Sequence, residues 1–371
     1  MSNVYIKTRI HSGHYAMEYL KNIQEKKIFL VCDKFLAESG TISYITDALD
    51  SSNAITIFDQ AIPDPTIEVI GKGLNQICSV KPDIVIGFGG GSAIDTAKGI
   101  IYFAQVKNLI VKPMFITIPT TSGTGSEVTS AAVITDLESK TKHLISSDDI
   151  LADVAILDPR LTLSVPPEIT ANTGMDVLTH ALEAYVATGA NAFSDALSEK
   201  AVELLLQALL SCYENGKNLE TRTMMHEAST LAGMAFNTAG LGVNHSIAHQ
   251  LGGTFHIPHG LANAILLNQV IDYNSENVDV MKKYASMSYK VQLAGIEESP
   301  EIAVRALKEL ITTLMRCMHM PLTIRELDID KEEYENQIQN MVNHAWMDNC
   351  LTTTPRKIGT AEIRTMLLNI Y

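Results

Sequence analysis

Short β-rich runs alternate with helical stretches through the first half of this 371-residue sequence and then stop. Five runs have the composition of buried strands and end in turn or polar residues: KKIFLVCD (26–33), AITIFD (54–59), DIVIGFGGG (83–91), MFITIPTT (114–121) and VAILDP (154–159). Segments 66–79 and 92–106 lie between such runs and have helical patterns. This alternation predicts a parallel, Rossmann-like α/β sheet that is covered on both faces. Such sheets bind ligands at the carboxyl ends of their strands.

The second half of the chain has long helical patterns and no strand-like runs after LSVPPEIT (163–170). The double proline Pro166–Pro167 breaks regular structure, and we place a domain boundary there. The predicted domains are therefore an α/β domain at residues 1–165 and an all-α domain at residues 166–371. Because clefts between domains are favoured ligand sites, we expect the working site in such a cleft.

Charge and composition narrow the class of protein. The formal net charge is −14 and no basic run is longer than EKK or PRK, which argues against nucleic acid and anionic membranes as partners. No apolar run reaches the length of a membrane span, and the N-terminus lacks the layout of a signal peptide. Five scattered cysteines without a C-x-x-C pair are typical of reduced thiols, so we expect a cytoplasmic protein.

The segment GFGGGSAIDTAK follows a predicted strand and opens a predicted helix. Backbone N–H groups of Gly89, Gly90 and Gly91 could cradle a diphosphate at the positive end of that helix. Ser92 stands where the G-x-G-x-x-G fingerprint has its third glycine, so a plain strand-to-helix turn is an alternative. Ser92 and Asp95 also have the spacing of a capping box, which would give both a local role.

The segment PTTSGTGSEVT (119–129) is a second loop of this kind, and it is rich in hydroxyl groups. An ordinary polar turn is the alternative, but two such loops after two strands of one sheet favour a nucleotide. Asp33 ends the first strong strand, where a carboxylate can accept hydrogen bonds from both ribose hydroxyls and would repel a 2′-phosphate. This position favours NAD over NADP, although a helix-capping role for Asp33 is an equal alternative.

A cluster of potential metal ligands lies in the second half. In GMDVLTHALE, Asp176 and His180 are four residues apart and share one helix face. The segment NHSIAHQLGGTFHIPHG follows, and it holds four of the eleven histidines: His245, His249, His256 and His259. A carboxylate with imidazoles suits Fe²⁺, Zn²⁺ or another late first-row divalent ion, and ligand type does not choose among them.

Six donors are more than a catalytic metal can use, because one coordination position must stay open for the substrate. At least one histidine should therefore be free, and spacing does not identify it. His256 falls in a predicted loop, where it is as well explained by solvent or a supporting contact as by function. Glu183 shares the helix face of His180, and we interpret it as an ordinary helix carboxylate.

The motifs GGGSAIDTAK, PTTSGTGSEVT, TGMDVLTHALEAY and NHSIAHQLGGTFHIPHGLANA together resemble the iron-dependent (group III) alcohol dehydrogenases, in order and spacing and over nearly the whole chain. The segments HEASTLAGMAF and AGLGVNHSIAHQLGG are most similar to the 1-propanol dehydrogenases of microcompartments within that family. The resemblance implies a dehydroquinate synthase-like architecture, an NAD cofactor and a Fe²⁺ ion, with Zn²⁺ or another divalent ion as the alternative. It also implies a homodimer in the cytoplasm, either free or inside a bacterial microcompartment with shell or lumen partners.

The resemblance also implies roles for particular residues. The positions that match the family's metal ligands are Asp176, His180, His245 and His259. His249 matches a histidine that lies near the nicotinamide and is not a ligand, and Phe236 matches an aromatic residue of the substrate pocket. The positions that match cofactor contacts are Asp33, Gly89, Gly90, Gly91, Ser92, Asp95, Thr120, Thr121, Thr124 and Lys142.

The expected activity is NADH-dependent interconversion of short-chain aldehydes and primary alcohols, with propanal or ethanal as the substrate. Alternatives within the fold are a lactaldehyde or 1,3-propanediol oxidoreductase and a metal lyase that resembles dehydroquinate synthase. The polyanionic substrate of such a lyase would need basic residues near the metal. Only Lys200, Lys217 and Arg222 fall between residues 165 and 265, and none is near the ligand motifs, which favours a small neutral substrate. A non-catalytic nucleotide-binding protein is the third alternative.

Overall fold

The computed structural model of the chain describes residues 4–138 and 141–371, so residues 1–3 and 139–140 of the predicted first domain lie outside it. The chain forms two compact units. One unit contains residues 5–164 and 217–233, and the other contains Val4 with residues 165–216 and 234–371. In the described part of the chain, no helix combines the length and the apolar character that a membrane crossing requires.

Eight strands occur in the described residues, and all belong to the first unit. They are β1 (Arg9–Ser12), β2 (Lys27–Asp33), β3 (Ala54–Ala61), β4 (Ile84–Gly89), β5 (Met114–Pro119), β6 (Ala131–Asp136), β7 (Thr141–Ser146) and β8 (Val154–Leu157). All five predicted strands are therefore confirmed. Strands β1, β6 and β7 were not predicted, and β6 and β7 pair as an antiparallel hairpin outside the main sheet.

Thirteen α-helices occur in the same described residues. They are α1 (Lys34–Glu38), α2 (Ser43–Thr46), α3 (Ile67–Val80), α4 (Gly91–Val106), α5 (Pro167–Val186), α6 (Ala192–Glu214), α7 (Leu219–Ala239), α8 (Val243–Phe255), α9 (His259–Ser275), α10 (Val278–Lys290), α11 (Pro300–Cys317), α12 (Lys331–Met347) and α13 (Thr360–Asn369). Short 3₁₀ helices occupy Ala16–Asn22, Ser126–Val128, Asp148–Ile150, Pro159–Thr162, Ile324–Leu327 and Asn349–Thr353. The predicted change from strands with helices to helices alone is confirmed.

The main sheet has six parallel strands in the order β1-β8-β5-β4-β2-β3. Along β2, Phe29 and Val31 face one apolar cluster with α3 and α4, whereas Ile28 and Leu30 face a second cluster on the opposite side. Apolar residues at successive positions are buried on both faces, as a covered parallel sheet requires. Because the strands are parallel, the loops after β2, β4 and β5 meet at one edge, where ligands of such sheets bind.

Helix α5 is the central element of the helical unit. It begins at Pro167, since a proline in the first turn lacks only an N–H that would have no helical partner. Every residue from Gly174 to Val186 is buried, and α5 packs against α6 and α9. A helix that is buried on all sides rarely carries ionisable groups unless they are paired or functional. This helix nevertheless carries Asp176, His180 and Glu183.

Helices α8 and α9 are joined by a very short turn. Helix α8 ends at Phe255 and is capped by His256, whose backbone is left-handed (φ 56°) and whose N–H donates to the carbonyl of Gly252 at 3.0 Å. A left-handed residue at this position is a common way to end a helix. Helix α9 begins at His259 and packs against α8 and α5, so histidines of α8 and α9 face α5.

Candidate metal centre and cofactor loops

Four side chains converge inside the helical unit. They are Asp176 and His180 of α5, His245 of α8 and His259 of α9. One potential donor atom from each lies within 4.8 Å of the others, and no second group in the described residues combines three imidazoles with a carboxylate. The Asp176 Oδ1 atom lies 3.5 Å from His259 Nε2 and 3.8 Å from His245 Nε2. Neighbouring donors on one ion would lie about 3.0–3.4 Å apart, given bonds of about 2.1 Å, so these two distances are close to those of a divalent-ion site that keeps one position open.

The protonation state of His245 also suits a metal ligand. Three of its members are buried, and His259 is half-exposed. Burial holds the pKa of His245 well below its usual value, and the neighbouring imidazoles of His180, His259 and His249 lower this pKa further. A neutral imidazole is the form that binds a metal ion.

Glu183 supports His245, and its interpretation as an ordinary helix carboxylate is wrong. Its Oε2 atom lies 2.5 Å from His245 Nδ1, and its Oε1 atom accepts a hydrogen bond from the Asn244 N–H at 2.8 Å. Burial raises the pKa of Glu183 to about 8, although hydrogen bonds from the backbone at Asn244, His245 and Gly242 oppose the shift. When ionised, Glu183 accepts from the Nδ1–H of His245 and leaves Nε2, which faces Asp176, as the lone-pair nitrogen.

Asn263 supports the donor group from α9. Its amide Nδ2 donates to Asp176 Oδ1 at 2.7 Å and lies 3.2 Å from the Nε2 atoms of His245 and His259. The Asn244 side chain fixes this orientation, because its Nδ2 donates to Asn263 Oδ1 at 2.9 Å. Asn263 was not singled out from the sequence, although it lies four residues after His259 on the same helix face.

Phe236 lies directly on the donor group. Its ring stacks on His180, with 4.5 Å between ring centroids and 28° between ring planes. The ring is an apolar neighbour of the group, and Phe236 is only partly buried, so part of its surface stays accessible. Both features are compatible with the predicted pocket role.

His249 lies beside the group but has a different partner. Its Nδ1 atom lies 2.7 Å from Asp348 Oδ2, and its ring stacks on His259 at 5.4 Å between centroids. Burial raises the pKa of Asp348, but the hydrogen bond and charge of His249, together with hydrogen bonds from Cys350, hold this pKa below its usual value. No sequence signal could have identified Asp348, because it is 99 residues from its partner. The exposed side chain of His256 lies at the end of α8, and its backbone conformation accounts for the position.

In the α/β unit, the two predicted loops lie against each other after β4 and β5. We call residues 89–92 the first glycine loop and residues 119–129 the second glycine loop. The Thr120 N–H donates to the Gly89 carbonyl at 3.0 Å. A Cβ atom at Gly91 would lie 2.8 Å from Thr124 Oγ1, so only glycine allows this approach. The two loops therefore form one continuous surface of backbone and hydroxyl groups.

The capping-box interpretation of Ser92 and Asp95 is wrong. The N-cap of α4 is Gly90, which has no side chain to accept a hydrogen bond, and Ser92 lies within the first turn. The Asp95 carboxylate accepts instead from Ser126 Oγ at 2.6 Å and from the Val133 N–H at 3.0 Å. One Asp95 oxygen thus binds the second glycine loop at Ser126, and the other binds the strand that follows the loop at Val133.

Asp33 caps a helix, as one of its two interpretations predicted. Its Oδ1 atom accepts from the Leu36 N–H at 2.9 Å. The Oδ2 atom lies toward the first glycine loop, 3.7 Å from the position that a Cβ atom on Gly89 would take. Capping and ribose binding are compatible, because each could use a different oxygen.

Two further predicted cofactor positions occupy the loop surface and the β6–β7 hairpin. The Thr121 Oγ1 atom lies 3.5 Å from the position that a Cβ atom on Gly90 would take. Lys142 lies on β7 and forms an ion pair with Asp64 at 2.6 Å. Both residues of this ion pair are exposed.

The chain matches two family models. Residues 7–159 match iron-containing alcohol dehydrogenase, and residues 170–371 match the C-terminal part of the Fe-containing alcohol dehydrogenase family. The chain is 46% identical over 367 residues to the 1-propanol dehydrogenase PduQ of Citrobacter freundii, with 99% of each protein covered.

Solved structures give the same family. A 1,3-propanediol oxidoreductase superposes with a TM-score of 0.91 at 32% identity, over all of both chains. A sulfoacetaldehyde reductase from Bifidobacterium kashiwanohense, solved in complex with NAD⁺, superposes with a TM-score of 0.86 at 27% identity, over 100% of this chain and 98% of that one. The protein belongs to the iron-containing alcohol dehydrogenases, enzymes whose architecture is the predicted dehydroquinate synthase-like one.

Proposed function

We propose that the protein reduces short-chain aldehydes such as propanal with NADH, reversibly, at a divalent ion held by Asp176, His180, His245 and His259. The observation that carries this proposal is the convergence of one carboxylate and three imidazoles within 4.8 Å in a buried position. Membership of the iron-containing family favours Fe²⁺ as the ion, with Zn²⁺ or another divalent ion as the alternative. Similarity to the Citrobacter 1-propanol dehydrogenase supports a three-carbon substrate.

We place the cofactor on the α/β unit. Asp33 supports NAD over NADP, since its free oxygen could accept from ribose hydroxyls and would repel a 2′-phosphate. The two glycine loops would hold the diphosphate, and Thr120, Thr121, Thr124 and Lys142 would contact the rest of the cofactor. The relative that was solved with NAD⁺ supports this choice.

In the proposed reaction, the ion, the nicotinamide and a few side chains would each have a separate role. When bound, the ion would supply Lewis-acid polarisation of a carbonyl group, and the nicotinamide would supply hydride. The residues of the chain would orient the substrate and the metal ligands. Phe236 would offer an apolar face to the substrate, and ionised Glu183 would keep His245 in the tautomer that has a lone pair on Nε2. His249 would move the proton at its Nε2 atom, because its Nδ1 atom is held by Asp348.

The activity is tested with the purified protein after metal removal and reconstitution with Fe²⁺ or Zn²⁺. NADH loss is followed with ethanal, propanal, butanal and lactaldehyde, and with NADPH in place of NADH. We expect metal-dependent turnover that is fastest with one of the short aldehydes and much slower with NADPH. Metal-loaded protein that binds NADH and reduces none of the four would refute the proposed function.

His249→Ala should retain the metal and lose about a hundredfold in turnover, because a positioned acid–base group contributes at least that much. Asp348→Asn should lose less turnover but change the pH–rate profile, because the imidazole stays while its charged partner is removed. Metal content by mass spectrometry and kcat against pH measure both effects. An unchanged pH–rate profile in His249→Ala would rule out the relay.

Glu183→Gln should weaken metal binding by about tenfold to a hundredfold, since groups that orient a metal ligand have effects of this size. Glutamine keeps the shape and an acceptor for the Asn244 N–H, so the fold should survive. Competition with a chromogenic chelator measures the dissociation constant. The matched control is Glu203→Gln on α6, which removes an exposed carboxylate that binds Lys200 and should leave metal affinity unchanged. Equal affinities in the two variants would contradict the role of Glu183.

From the family resemblance we also propose a homodimer in the cytoplasm. Similarity to the PduQ enzyme makes residence in a bacterial microcompartment, with shell or lumen partners, part of the same proposal.

A further inference from the structure

A lysine lies fully buried beneath the two glycine loops. Lys98 is on α4, whose N-terminus carries the first glycine loop, and its side chain has no exposed surface. Its Nζ donates to Ser126 Oγ at 3.1 Å, to Thr129 Oγ1 at 3.1 Å and to the Ala131 carbonyl at 2.8 Å. An ammonium group has three donors, so all three are used. Two acceptors belong to the second glycine loop, and the third, Ala131, lies two residues after its end.

Asp95 adds two hydrogen bonds from the preceding turn of α4. The Ser126 hydroxyl accepts from Lys98 and donates to Asp95 Oδ1 at 2.6 Å, so it joins the two charged side chains. The other Asp95 oxygen accepts from the Val133 N–H at 3.0 Å. Lys98 and Asp95 of α4 therefore form five hydrogen bonds with four residues of the segment 126–133.

The charges around Lys98 are arranged to keep it in this buried position. Burial lowers the pKa of Lys98 to about 8, and the carboxylates of Asp95 and Glu127 oppose that shift. Glu127 is buried as well, and Thr230 of α7 donates to it at 2.7 Å. A buried charge without partners would be strongly unfavourable, so the lysine and the two carboxylates depend on one another.

Direct phosphate binding by Lys98 does not fit this geometry. The ammonium is fully buried and its donors are occupied, so it could reach a phosphate only by leaving three acceptors. Asp95 likewise has both oxygens engaged within the protein. These two residues act on the shape of the loops, and the loops act on the cofactor.

We propose that Lys98 is a positioning residue that fixes the second glycine loop against α4, and so holds both glycine loops in the shape that receives the dinucleotide. This inference rests on the proposed NADH-dependent function. Backbone N–H and hydroxyl groups bind an anion best when the loop already holds them in place. In an active site, a misplacement of about 1 Å can lower the reaction rate about a hundredfold.

The test compares Lys98→Met with Lys107→Met in the metal-loaded protein. Lys107 is exposed at the end of the same helix, so its substitution controls for the loss of one charge. For Lys98→Met we expect the NADH dissociation constant, measured by NADH fluorescence, and the KM for NADH to rise by about tenfold or more. The KM for propanal and the metal content should stay unchanged, a split that general destabilisation would not produce.

Two further variants keep the test decisive if Lys98→Met does not fold. Lys98→Met with Asp95→Asn removes the lysine and one of the carboxylates it leaves behind, and Thr129→Val removes one acceptor while keeping its shape. Each should weaken NADH binding in the same direction, with the smallest effect in Thr129→Val. If every variant that folds binds NADH within twofold of the wild type, the positioning role is overturned.

Amide hydrogen exchange separates this inference from the proposed function. Backbone amides of residues 119–133 should exchange faster in Lys98→Met than in Lys107→Met, without any cofactor present. Exchange at the wild-type rate overturns the inference even if the enzyme reduces propanal. Wild-type protein that does not use NADH refutes the proposed function, and the exchange result still decides whether Lys98 holds the loop.

Discussion

His259→Ala is expected to abolish metal binding and to lower aldehyde reduction by about a thousandfold or more. The substitution removes one of four donors, and Lewis-acid stabilisation of several kcal/mol disappears with the ion. The fold should survive, because the His259 side chain is 40% exposed and its loss creates no buried cavity. Metal content per chain, kcat and the free energy of unfolding of the metal-free protein measure the three parts of the result.

His256→Gly is the matched control for this experiment. It removes an exposed imidazole three residues earlier, at a left-handed position where glycine is well tolerated. Metal content and turnover should match those of the wild type. If His259→Ala keeps full metal and full rate, the assignment of His259 as a ligand is wrong.

Gly260→Ala is expected to lower the free energy of unfolding by about 3 kcal/mol and to impair metal binding. A Cβ atom at this position would lie 1.9 Å from the carbonyl oxygen of Asn172, so α9 and α5 could not keep their separation. The clash is with backbone, which cannot rotate away. Because α5 carries Asp176 and α9 carries His259, the same movement displaces metal ligands. Denaturant titration of metal-free and metal-loaded protein measures both effects.

Gly253→Ala on α8 is expected to change the free energy of unfolding in the opposite direction. No atom lies within 4 Å of the position that a Cβ atom would take there. Alanine in an open helical site should raise stability by about 0.5–1 kcal/mol, since it restricts the unfolded chain. Two glycine substitutions in neighbouring helices should therefore change stability in opposite directions. A stable Gly260→Ala variant with normal metal affinity would contradict the close approach of α5 and α9.

The elements that the sequence predicted are those whose signal is local. The five strands of the main sheet between β2 and β8 are apolar runs bounded by turn residues, and their burial on both faces produces that pattern. Strand β1 is a four-residue segment, RIHS, with one strongly apolar residue, and it becomes a strand only through pairing with β8. Its conformation depends on residues far along the chain, so no local pattern indicates it.

The residues of the candidate site also divide into those that a local sequence pattern indicates and those that only the tertiary structure shows. A spacing of four residues identified Asp176 with His180 and His245 with His249, because neighbours on one helix face can be recognised in the sequence. The role of Glu183 required knowledge that its face is buried against α8, and that of Asp348 required the tertiary fold. The capping-box spacing predicted the wrong role for Ser92. Gly90 occupies the N-cap, so Ser92 lies inside the first turn of the helix.

The make-up of the α/β unit has a consequence for how the chain is built on the ribosome. Its edge strand is fastened by contacts such as Thr8 Oγ1 to the Ala152 carbonyl, 144 residues apart, and residues 217–233 belong to the same unit. More than half of the chain must therefore emerge before this unit has all of its parts. A gene fragment that ends near residue 165 would lack Thr230, the partner of the buried Glu127. The α/β unit therefore stays incomplete until distant segments have been synthesised, and incomplete units of this kind expose apolar surface and strand edges.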